Sequence, residues 1–557
     1  MLWYQSFIVF SEGSGKPSVA SGPAAITVAE ERGLTMVRTI IHAMAILAVS
    51  AVGAGAQTLT IASSAPVTSM DPHYHTLTPN LSAHGHIFDR LIDQDAGGHM
   101  IPNLALSWKL RDPTTWEIKL RDATFHDGTP FTAEDVAYTL ARVPTVKNSP
   151  ASFQIYTRAV VATEILDPHT ILLKTATPYP LLPQDLLQVF MISHKLGAEP
   201  ATEDFNSGKD AIGTGPFRFV SYMPGNRLQM DRYDGYWGPK PQWAHVDYRM
   251  ISNGAARTAS LLAGDVGIIE FVPPADLAKL HQDARVALSE VVSNRSIYLW
   301  LDHSHEATMP EVTGPNGEVL PKNPLKDLRV RQALSLAINR AGIVERVMEG
   351  AAIPTKQYLP PGNTNHVNDL LPDPFQPDRA KALLAEAGYP NGFRIVLHGP
   401  NDRYVNDAKI IQAVAQMWQR IGVQTTVDTI PWSSYATRAG KQEFAAFLLG
   451  WGVNSGEGTN PLRAQIATWN PQRGLGTANR GRYSNPAVDA LLDRAMTTMD
   501  RGERDKIVLG AMKMAMDDVP VIMLHLQKNI WAMRKGLSYA ARIDEETRAT
   551  GVVEVKP

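Results

Sequence analysis

The clearest pattern of apolar and polar positions lies between residues 393 and 451. It predicts a strand, a helix, a strand, a short helix and a strand, over residues 393–397, 408–421, 423–430, 433–439 and 444–449. Gly422 stands where a glycine commonly ends a helix. Strands that alternate with helices through short connections are typical of a parallel sheet covered by helices on both faces. This part of the chain is therefore expected to form an α/β lobe.

Further elements are expected outside this region. Asp327 can cap a helix that carries apolar residues over 328–347, and Asp378 can cap another that stops at Gly388. Strand-like alternation also occurs over residues 116–120, 217–220 and 519–526. Together with the region above, these patterns predict an α/β protein of at least two lobes.

Composition restricts the class of protein. The chain has 557 residues, of which 44% are hydrophobic and 19% charged, so at roughly 150 residues per domain there is room for about three domains. Fifty-three basic and 55 acidic residues leave a net charge of −2, and no basic block points to nucleic acid. The chain has no cysteine, which excludes disulfides, thiolate metal sites and a cysteine nucleophile.

The N-terminal region has the layout of a signal peptide. Arg38 precedes an apolar run over residues 40–52, and the small residues Ala54, Gly55 and Ala56 follow it. A run of about 13 residues is too short for a bilayer, which needs about 20. We expect cleavage after Ala56 and export of the chain, and we interpret residues 1–35 as an upstream extension before the true start.

A ligand site is expected beyond the carboxyl ends of the parallel strands, because helices cover the faces of such a sheet. Three polar loops follow the strands, at residues 398–404, 431–435 and 451–458, and they supply the candidates Arg403, Tyr404, Trp432, Tyr435, Trp451, Asn454 and Glu457. An arginine can pair with a carboxylate, a glutamate can accept from an ammonium, and aromatic rings can cover an apolar body. Solvated loop charges at Arg403 and Glu457, and a core position for Trp451, are the alternatives.

The sequence leaves two other classes of site open, a metal site and an enzyme active site. His73, His75, His84 and His86 crowd a short segment and could chelate a metal, although nearby prolines favour loops with solvated histidines. The local signatures of hydrolases and of complete phosphate loops are missing, and the acidic pair after Thr132 suits a helix start. We therefore expect no catalytic residues and no enzyme, with a secreted hydrolase as the remote alternative.

Several segments resemble family 5 of the bacterial extracellular solute-binding proteins, which includes dipeptide, oligopeptide, nickel and glutathione receptors. They occur in the order of the family and read IPNLALSW at 101–108, FHDGTPFTAEDV at 125–136, GTGPF at 213–217, YWG at 236–238, DLRVRQALSLAINR at 327–340 and YSNP at 483–486. The resemblance implies a type II periplasmic-binding-protein fold of two lobes joined by a hinge. It also implies the binding component of an ABC importer, which would work in the periplasm as a monomer and deliver its ligand to an inner-membrane permease.

The resemblance also implies domain limits. The expected order is an extension over 1–35, a signal peptide over 36–56, lobe one over 57–98, 210–312 and 527–557, an inserted subdomain over 99–209, and lobe two over 313–526. No cofactor, structural metal or nucleic acid is expected.

The expected ligand is a small peptide or a peptide-like molecule. Arg403 falls near the carboxylate anchor of dipeptide receptors, whereas Asn454 stands roughly where those receptors have an amine-binding aspartate. The run from Gly450 to Glu457 looks more like the glutathione receptors, so Glu457 is the candidate for the amine. A nickel- or haem-chelate receptor of the same family is the main alternative because of the four clustered histidines, and His73 is included among the candidate ligand-binding residues.

Overall fold

The structure is a computed structural model that describes residues 57–555 with the exception of Ala151 and Asn454. The expected extension over 1–35 and signal peptide over 36–56 lie outside the described residues and stay predictions. Of the helices between residues 57 and 555, none combines the length and the apolar character that crossing a bilayer requires.

The strands are numbered in chain order. They are β1 Thr58–Ser63, β2 Ile92–Gln94, β3 Met100–Pro102, β4 Ala105–Asp112, β5 Thr115–Leu120, β6 Val160–Asp167, β7 Thr170–Thr175, β8 Phe217–Met223, β9 Arg227–Arg232, β10 His245–Met250, β11 Ile268–Ile269, β12 Val286–Leu301, β13 Val312–Thr313, β14 Ala352–Pro354, β15 Phe393–Pro400, β16 Val423–Ile430, β17 Ala446–Gly452, β18 Val521–Arg534, β19 Leu537–Ser538 and β20 Val553–Glu554.

The α-helices are numbered in the same way. They are α1 Thr78–Ile87, α2 Ala133–Arg142, α3 Gln154–Thr157, α4 Leu182–Leu186, α5 Thr202–Ser207, α6 Gly254–Ala263, α7 Pro274–Gln282, α8 Leu328–Leu336, α9 Arg340–Arg346, α10 Pro377–Glu386, α11 Asp407–Arg420, α12 Trp432–Gly440, α13 Thr459–Pro461, α14 Pro486–Thr497 and α15 Arg501–Asp517. A π-helical turn, Leu462–Ile466, follows α13 directly.

One large sheet carries the architecture. Its strand order is β13-β15-β17-β12-β18-β11-β1-β10-β9-β8, with β16 paired to β15 and β14 to β18. Buried side chains on both faces of this sheet form two separate sets of cores. Residues from β1, β10, β11 and the C-terminal segment pack in one set, which we call lobe one, and residues from β15, β17 and α8 to α15 pack in the other, which we call lobe two.

The parallel sheet predicted in lobe two is confirmed. β15 pairs in parallel with both β16 and β17, and α11 packs its apolar face on the sheet between the first two strands. Along β17, Ala446 and Leu448 belong to one core while Phe447 and Leu449 belong to the other, so the strand is buried on both faces. This burial explains why the strand reads as apolar throughout.

The expected limits of two helices and one strand were wrong in detail. The single helix expected over 328–347 is divided into α8 and α9, because Asn339 caps α9 by accepting from the Gly342 N–H at 2.8 Å. Asp378 lies in the first turn of α10, which begins instead at Pro377 after the cap residue Gln376. The third expected strand starts later and runs on to Gly452.

A smaller antiparallel sheet, in the order β4-β5-β7-β6, lies within the segment expected to be an inserted subdomain. Its inward side chains Trp116, Ile118 and Ile171 join the core of lobe one. Segment 99–209 therefore packs with lobe one.

Several residues of the motifs quoted above fix the backbone where segment 99–209 joins lobe one. The His126 ring bonds to the Gly215 carbonyl at 2.9 Å through Nε2 and accepts from the Gly213 N–H at 3.3 Å through Nδ1. A Cβ at Gly213 or Gly215 would lie 1.9 Å or 2.7 Å from the Ile87 carbonyl oxygen, so both positions require glycine. The motif residues Thr214 and Trp237 donate to the buried carboxylate of Asp89, at 3.1 Å and 2.9 Å.

Two long strands, β12 and β18, run antiparallel from one lobe into the other. Val292 pairs with Lys528, and the next pair in register is Ser296 with Leu526, so three residues of β12 lie opposite one residue of β18. Such an irregularity bends a strand pair and interrupts its ladder. This interruption lies between the two sets of cores, and we call residues 293–295 and 527 the hinge segment.

The pH dependence of stability follows from buried histidines such as His86. Its Nδ1 bonds to the Ser82 carbonyl at 2.8 Å and its Nε2 accepts from the Ala549 N–H at 2.9 Å, which requires a neutral ring. Burial lowers the pKa of His86 to about 4. Because the unfolded chain then binds the proton more readily, stability is intact above the unfolded pKa of about 6.5 and falls as the pH drops toward 4.

We predict that His86→Gln makes unfolding less sensitive to acid. Between pH 7 and pH 5 the wild-type protein should lose about 2 kcal/mol more stability than the variant, as measured by urea unfolding. The variant is also expected to be less stable at pH 7. His281→Gln, at an exposed position, serves as the control. Equal losses in the wild type and His86→Gln would contradict the assignment of a neutral ring.

Candidate functional site

A cavity of about 570 Å³ lies where the two lobes face each other. Lobe one contributes the turn after β1, the start of α1, residues 252–257 and residues 270–274. Lobe two contributes residues 401–409, which follow β15. Arg295, Gln527 and Glu545 form its base at the hinge. The cavity thus lies at the carboxyl end of a parallel strand, as expected from the sequence.

Arg403 is the most informative group in the cavity. Its backbone N–H and that of Tyr404 donate to Asp407 at 3.0 Å each, which fixes the loop. Its guanidinium lies 5.1 Å from the Tyr404 ring centre and 5.5 Å from that of Trp432. Among the described residues the guanidinium has no hydrogen-bond acceptor, and its Nε is buried. Burial lowers the pKa of Arg403, as expected for a cation that lacks a counter-charge.

The loops after β15 and β16 come together beside Arg403. The backbone N–H of Trp432 donates to Asp402 at 2.7 Å, and the rings of Tyr404 and Trp432 meet edge to face with centres 6.0 Å apart. Tyr435 has another position. It is fully buried in the lobe-two core, where its hydroxyl donates to the Leu448 carbonyl at 2.6 Å.

The candidates from the third loop do not line this cavity. Trp451 is a half-buried residue of β17, and its indole N–H donates to Asn460 at 2.9 Å. Glu457 accepts from the Thr459 N–H at 2.9 Å through Oε2, while its other oxygen is buried without a donor among the described residues. Burial raises the pKa of Glu457 to about 7. Asn454 lies outside the described residues.

His73 is buried in lobe one. Its Nε2 bonds to the Phe190 carbonyl at 2.8 Å and its Nδ1 to Arg142 at 2.9 Å, so both nitrogens are occupied. Burial lowers the pKa of His73 to about 3. His84 and His86 lie on helix α1 rather than in the loops that the prolines had indicated. Within the described ranges, no group of three histidine, cysteine or acidic residues could hold a metal ion.

His75 is the histidine that lies near the cavity arginine. Burial lowers its pKa to about 4, and the charge of Arg403 adds to this effect. His75 belongs to lobe one and Arg403 to lobe two. The charge of one lobe therefore affects the protonation of a residue in the other.

Sequence reasoning missed the groups at the base of the cavity. Arg295 donates to Glu545 from Nε at 3.1 Å and to Thr78 from Nη2 at 3.1 Å, and both charged side chains are almost completely buried. The two charges are 250 residues apart in the chain. No local motif brings such residues together, so only the fold reveals the pair.

A second buried ion pair joins segment 99–209 to lobe two. Arg463 on the π-helical turn donates to Asp185 on α4 at 2.6 Å, and the side chains are 6% and 5% exposed. The hydroxyl of Tyr179 donates to the same carboxylate at 2.6 Å. In this conformation the inserted segment and lobe two therefore hold each other across the cleft.

Comparison with known proteins identifies the relatives of this chain. The family model described as "Bacterial extracellular solute-binding proteins, family 5 Middle" matches residues 99–471. The chain is 28% identical over 466 residues to heme-binding protein A of Haemophilus influenzae, covering 78% of this chain and 81% of that protein. It is 26% identical over 471 residues to the dipeptide-binding protein of Escherichia coli, covering 79% and 83%.

A solved structure shares the fold. The periplasmic binding protein DppA of Helicobacter pylori, in complex with the peptide STSA, superposes with a TM-score of 0.74 at 22% identity, covering 90% of this chain and 98% of that one. The expected type II fold with two lobes is thus confirmed.

We predict that Arg463→Met destabilises the protein by about 3 kcal/mol, because it leaves the Asp185 carboxylate buried without its cation. Urea unfolding of the ligand-free protein measures the loss. The exposed pair of Arg473 and Asp493 provides the control, since its side chains are 49% and 45% exposed. Arg473→Met should cost less than about 1 kcal/mol. A similar loss in the free energy of unfolding for the two variants would show that the buried pair does not stabilise the contact between segment 99–209 and lobe two.

Proposed function

The chain belongs to family 5 of the bacterial extracellular solute-binding proteins, and from this premise we propose that it is the receptor of an ABC importer for a small peptide or peptide-like ligand. The ligand would be enclosed between the lobes and delivered to a permease in the inner membrane. Two of the curated relatives above are named for the haem or the dipeptide that they bind. The family is one of binding proteins, and we propose that this chain likewise has no catalytic activity.

The observation that carries this proposal is Arg403, a cation without an acceptor among the described residues in a cavity between two lobes. A guanidinium offers a planar pair of donors that matches a carboxylate. The C-terminal carboxylate of a peptide would therefore complete the site. Tyr404 and Trp432 lie beside this position, where they can cover the apolar part of the ligand.

Closure around the ligand follows from the two-lobe construction. A ligand that contacts both lobes binds the closed form more strongly than the open form, and so shifts the population toward closure. The interrupted pairing of β12 and β18 provides the place where the lobes can rotate. Micromolar affinity, about −8 kcal/mol, is sufficient for such a shift when the open form is favoured only slightly.

The remaining candidate residues have a smaller part in this proposal, because those that the structure describes lie outside the cavity. Trp451 lies in β17 and Glu457 follows it, close to the boundary between the lobes, because a Cβ at Gly456 would lie 3.9 Å from the Gly98 carbonyl oxygen of lobe one. Asn454 stays a candidate by its place in the sequence between them. They could contact a ligand longer than the cavity described above. Tyr435 and His73 would act only by supporting the residues around them, since both are fully buried.

We also propose how the chain is processed. A signal peptide over 36–56 would direct it to the periplasm, where it would act as a monomer.

The domain limits are proposed from the cores. The core residues of β12 favour a boundary between lobe one and lobe two at 293–295 rather than at 312, because Ile297, Leu299 and Leu301 pack in lobe two. For the return to lobe one we keep the expected limit at 527, which lies opposite 293–295 in the pairing of β12 and β18.

The proposed function predicts a class of ligand. Native mass spectrometry of the purified mature protein should find a bound peptide-like molecule, and thermal-shift screening of di- to hexapeptides and glutathione should raise the melting temperature, because ligand stabilises the folded state. Nickel–histidine chelate and haem are screened in parallel. A shift with a chelate alone would favour the metal-chelate receptor, and release of altered peptide would favour a hydrolase.

The proposed function also predicts that Arg403 binds the carboxylate of the ligand. Arg403→Gln should weaken peptide binding about 100-fold in calorimetry, since a charge-assisted pair with a carboxylate is lost. Arg438→Gln is the matched control, because Arg438 is also in lobe two but pairs with Glu443 away from the cavity. Unchanged affinity in Arg403→Gln would remove Arg403 from the site.

A further inference from the structure

The carboxylates that line the cavity differ in what neutralises them. Glu545 is paired with Arg295, and Asp407 accepts from three backbone N–H groups at the start of α11. Asp402 accepts from the Trp432 N–H and is exposed to water. Each of these three carboxylates is therefore stabilised without a ligand, by an arginine, by backbone donors or by water.

Glu270 is the exception. It follows β11 in lobe one, lines the cavity and is only 2% exposed. Oε1 accepts from the Ser63 hydroxyl at 2.8 Å and the Ser64 N–H at 3.0 Å, and Oε2 accepts from the Thr547 hydroxyl at 2.6 Å. These donors are neutral. Among the described residues no lysine, arginine or histidine lies within salt-bridge distance of the carboxylate.

The cation in the same wall does not neutralise Glu270 directly. Arg257 gives its N–H groups to backbone carbonyls, among them those of Glu270 at 3.1 Å, Ile251 at 2.7 Å and Phe271 at 2.8 Å. Its charge reaches the Glu270 carboxylate only at longer range. The Oε2 atom, which has one donor, retains a lone pair for another.

The cavity thus has an acidic group without a direct counter-charge on lobe one and a basic group without one, Arg403, on lobe two. We propose that Glu270 is the acceptor for the ligand's ammonium group, so that the ligand is a zwitterion held by its amine on lobe one and its carboxylate on lobe two. This inference rests on the proposed function. It assigns to Glu270 the role that the sequence had suggested for Glu457.

Placing the two anchors on opposite lobes has a consequence for selectivity. Closing the cleft removes both groups further from water, which is unfavourable unless each meets an opposite charge. A ligand that lacks the amine or the carboxylate would leave one of them unpaired. The site would therefore reject N-acetylated and C-amidated peptides by the absence of a partner rather than by shape.

The experiment measures binding of one peptide in free, N-acetylated and C-amidated forms. The peptide is the tightest found in the ligand screen, and the variants are Glu270→Gln, Glu457→Gln and Asp402→Asn. Gln at position 270 can still accept from Ser63 and Ser64 through its oxygen, and its amide can donate to the Thr547 hydroxyl. The fold is therefore expected to be retained, which the melting temperature of the ligand-free variant checks.

For the wild type we expect N-acetylation to weaken binding about 50-fold. Glu270→Gln should weaken binding of the free peptide by a similar factor while leaving the affinity for the acetylated form unchanged within about threefold. In Glu457→Gln and Asp402→Asn, any loss of affinity should be the same for the free and the acetylated peptide, because neither residue is expected to bind the amine.

Three results would overturn the inference. Equal loss for the free and acetylated peptides in Glu270→Gln would show that Glu270 only supports the turn after β1. Selective loss in Glu457→Gln or Asp402→Asn would transfer the amine to that residue. Tight binding of the acetylated peptide by the wild type would show that no amine is recognised. By contrast, a wild type that binds no peptide at all would contradict the proposed function itself.

Discussion

The antiparallel pairing of β12 with β18 is the constraint on which the two-lobe structure depends. Each strand gives one half of its length to the sheet of lobe one and the other half to that of lobe two, so the backbone ladder continues through the boundary. Two connected strands resist twisting and separation more than a single linker would. The mismatch of three residues against one interrupts this ladder between the two sets of cores, and a second, smaller shift follows between Ile297 and Tyr298. The cores on either side can then remain intact while the angle between them changes.

The cleft that this constraint creates is built from charges that belong to different parts of the chain. At its base, Arg295 and Glu545 neutralise each other beside the hinge, so the deepest charges of the cavity balance without a ligand. The outer walls differ, because Arg403 and Glu270 have no direct counter-charge among the described residues. A polar site of this kind binds through the groups that the fold leaves unpaired, whereas its paired groups maintain the shape of the cavity.

The sequence predicted those parts of the structure that depend on local periodicity. The strands and helices between 393 and 452 were found within a few residues, since alternation and helical spacing reflect burial directly. The loop containing Arg403 followed from the position of the strand ends. Glu270 and the pair of Arg295 with Glu545 could not be found in this way, because their partners come from distant segments. The burial of Tyr435 and His73 could not be predicted either, because a sequence does not show which face of an element meets the core.

The glycines at 213 and 215 and the ring of His126 show what the recognisable motifs of this chain do. Their contacts join backbone to backbone at the base of the inserted segment, and none of these three residues lines the cavity. The fold therefore depends on one set of residues and ligand selectivity on another. Substitutions in the loops around the cleft could therefore change the ligand without disturbing these backbone contacts. Such a protein is easy to assign to its family and hard to assign to a ligand, because none of the motifs quoted above supplies a residue to the cavity.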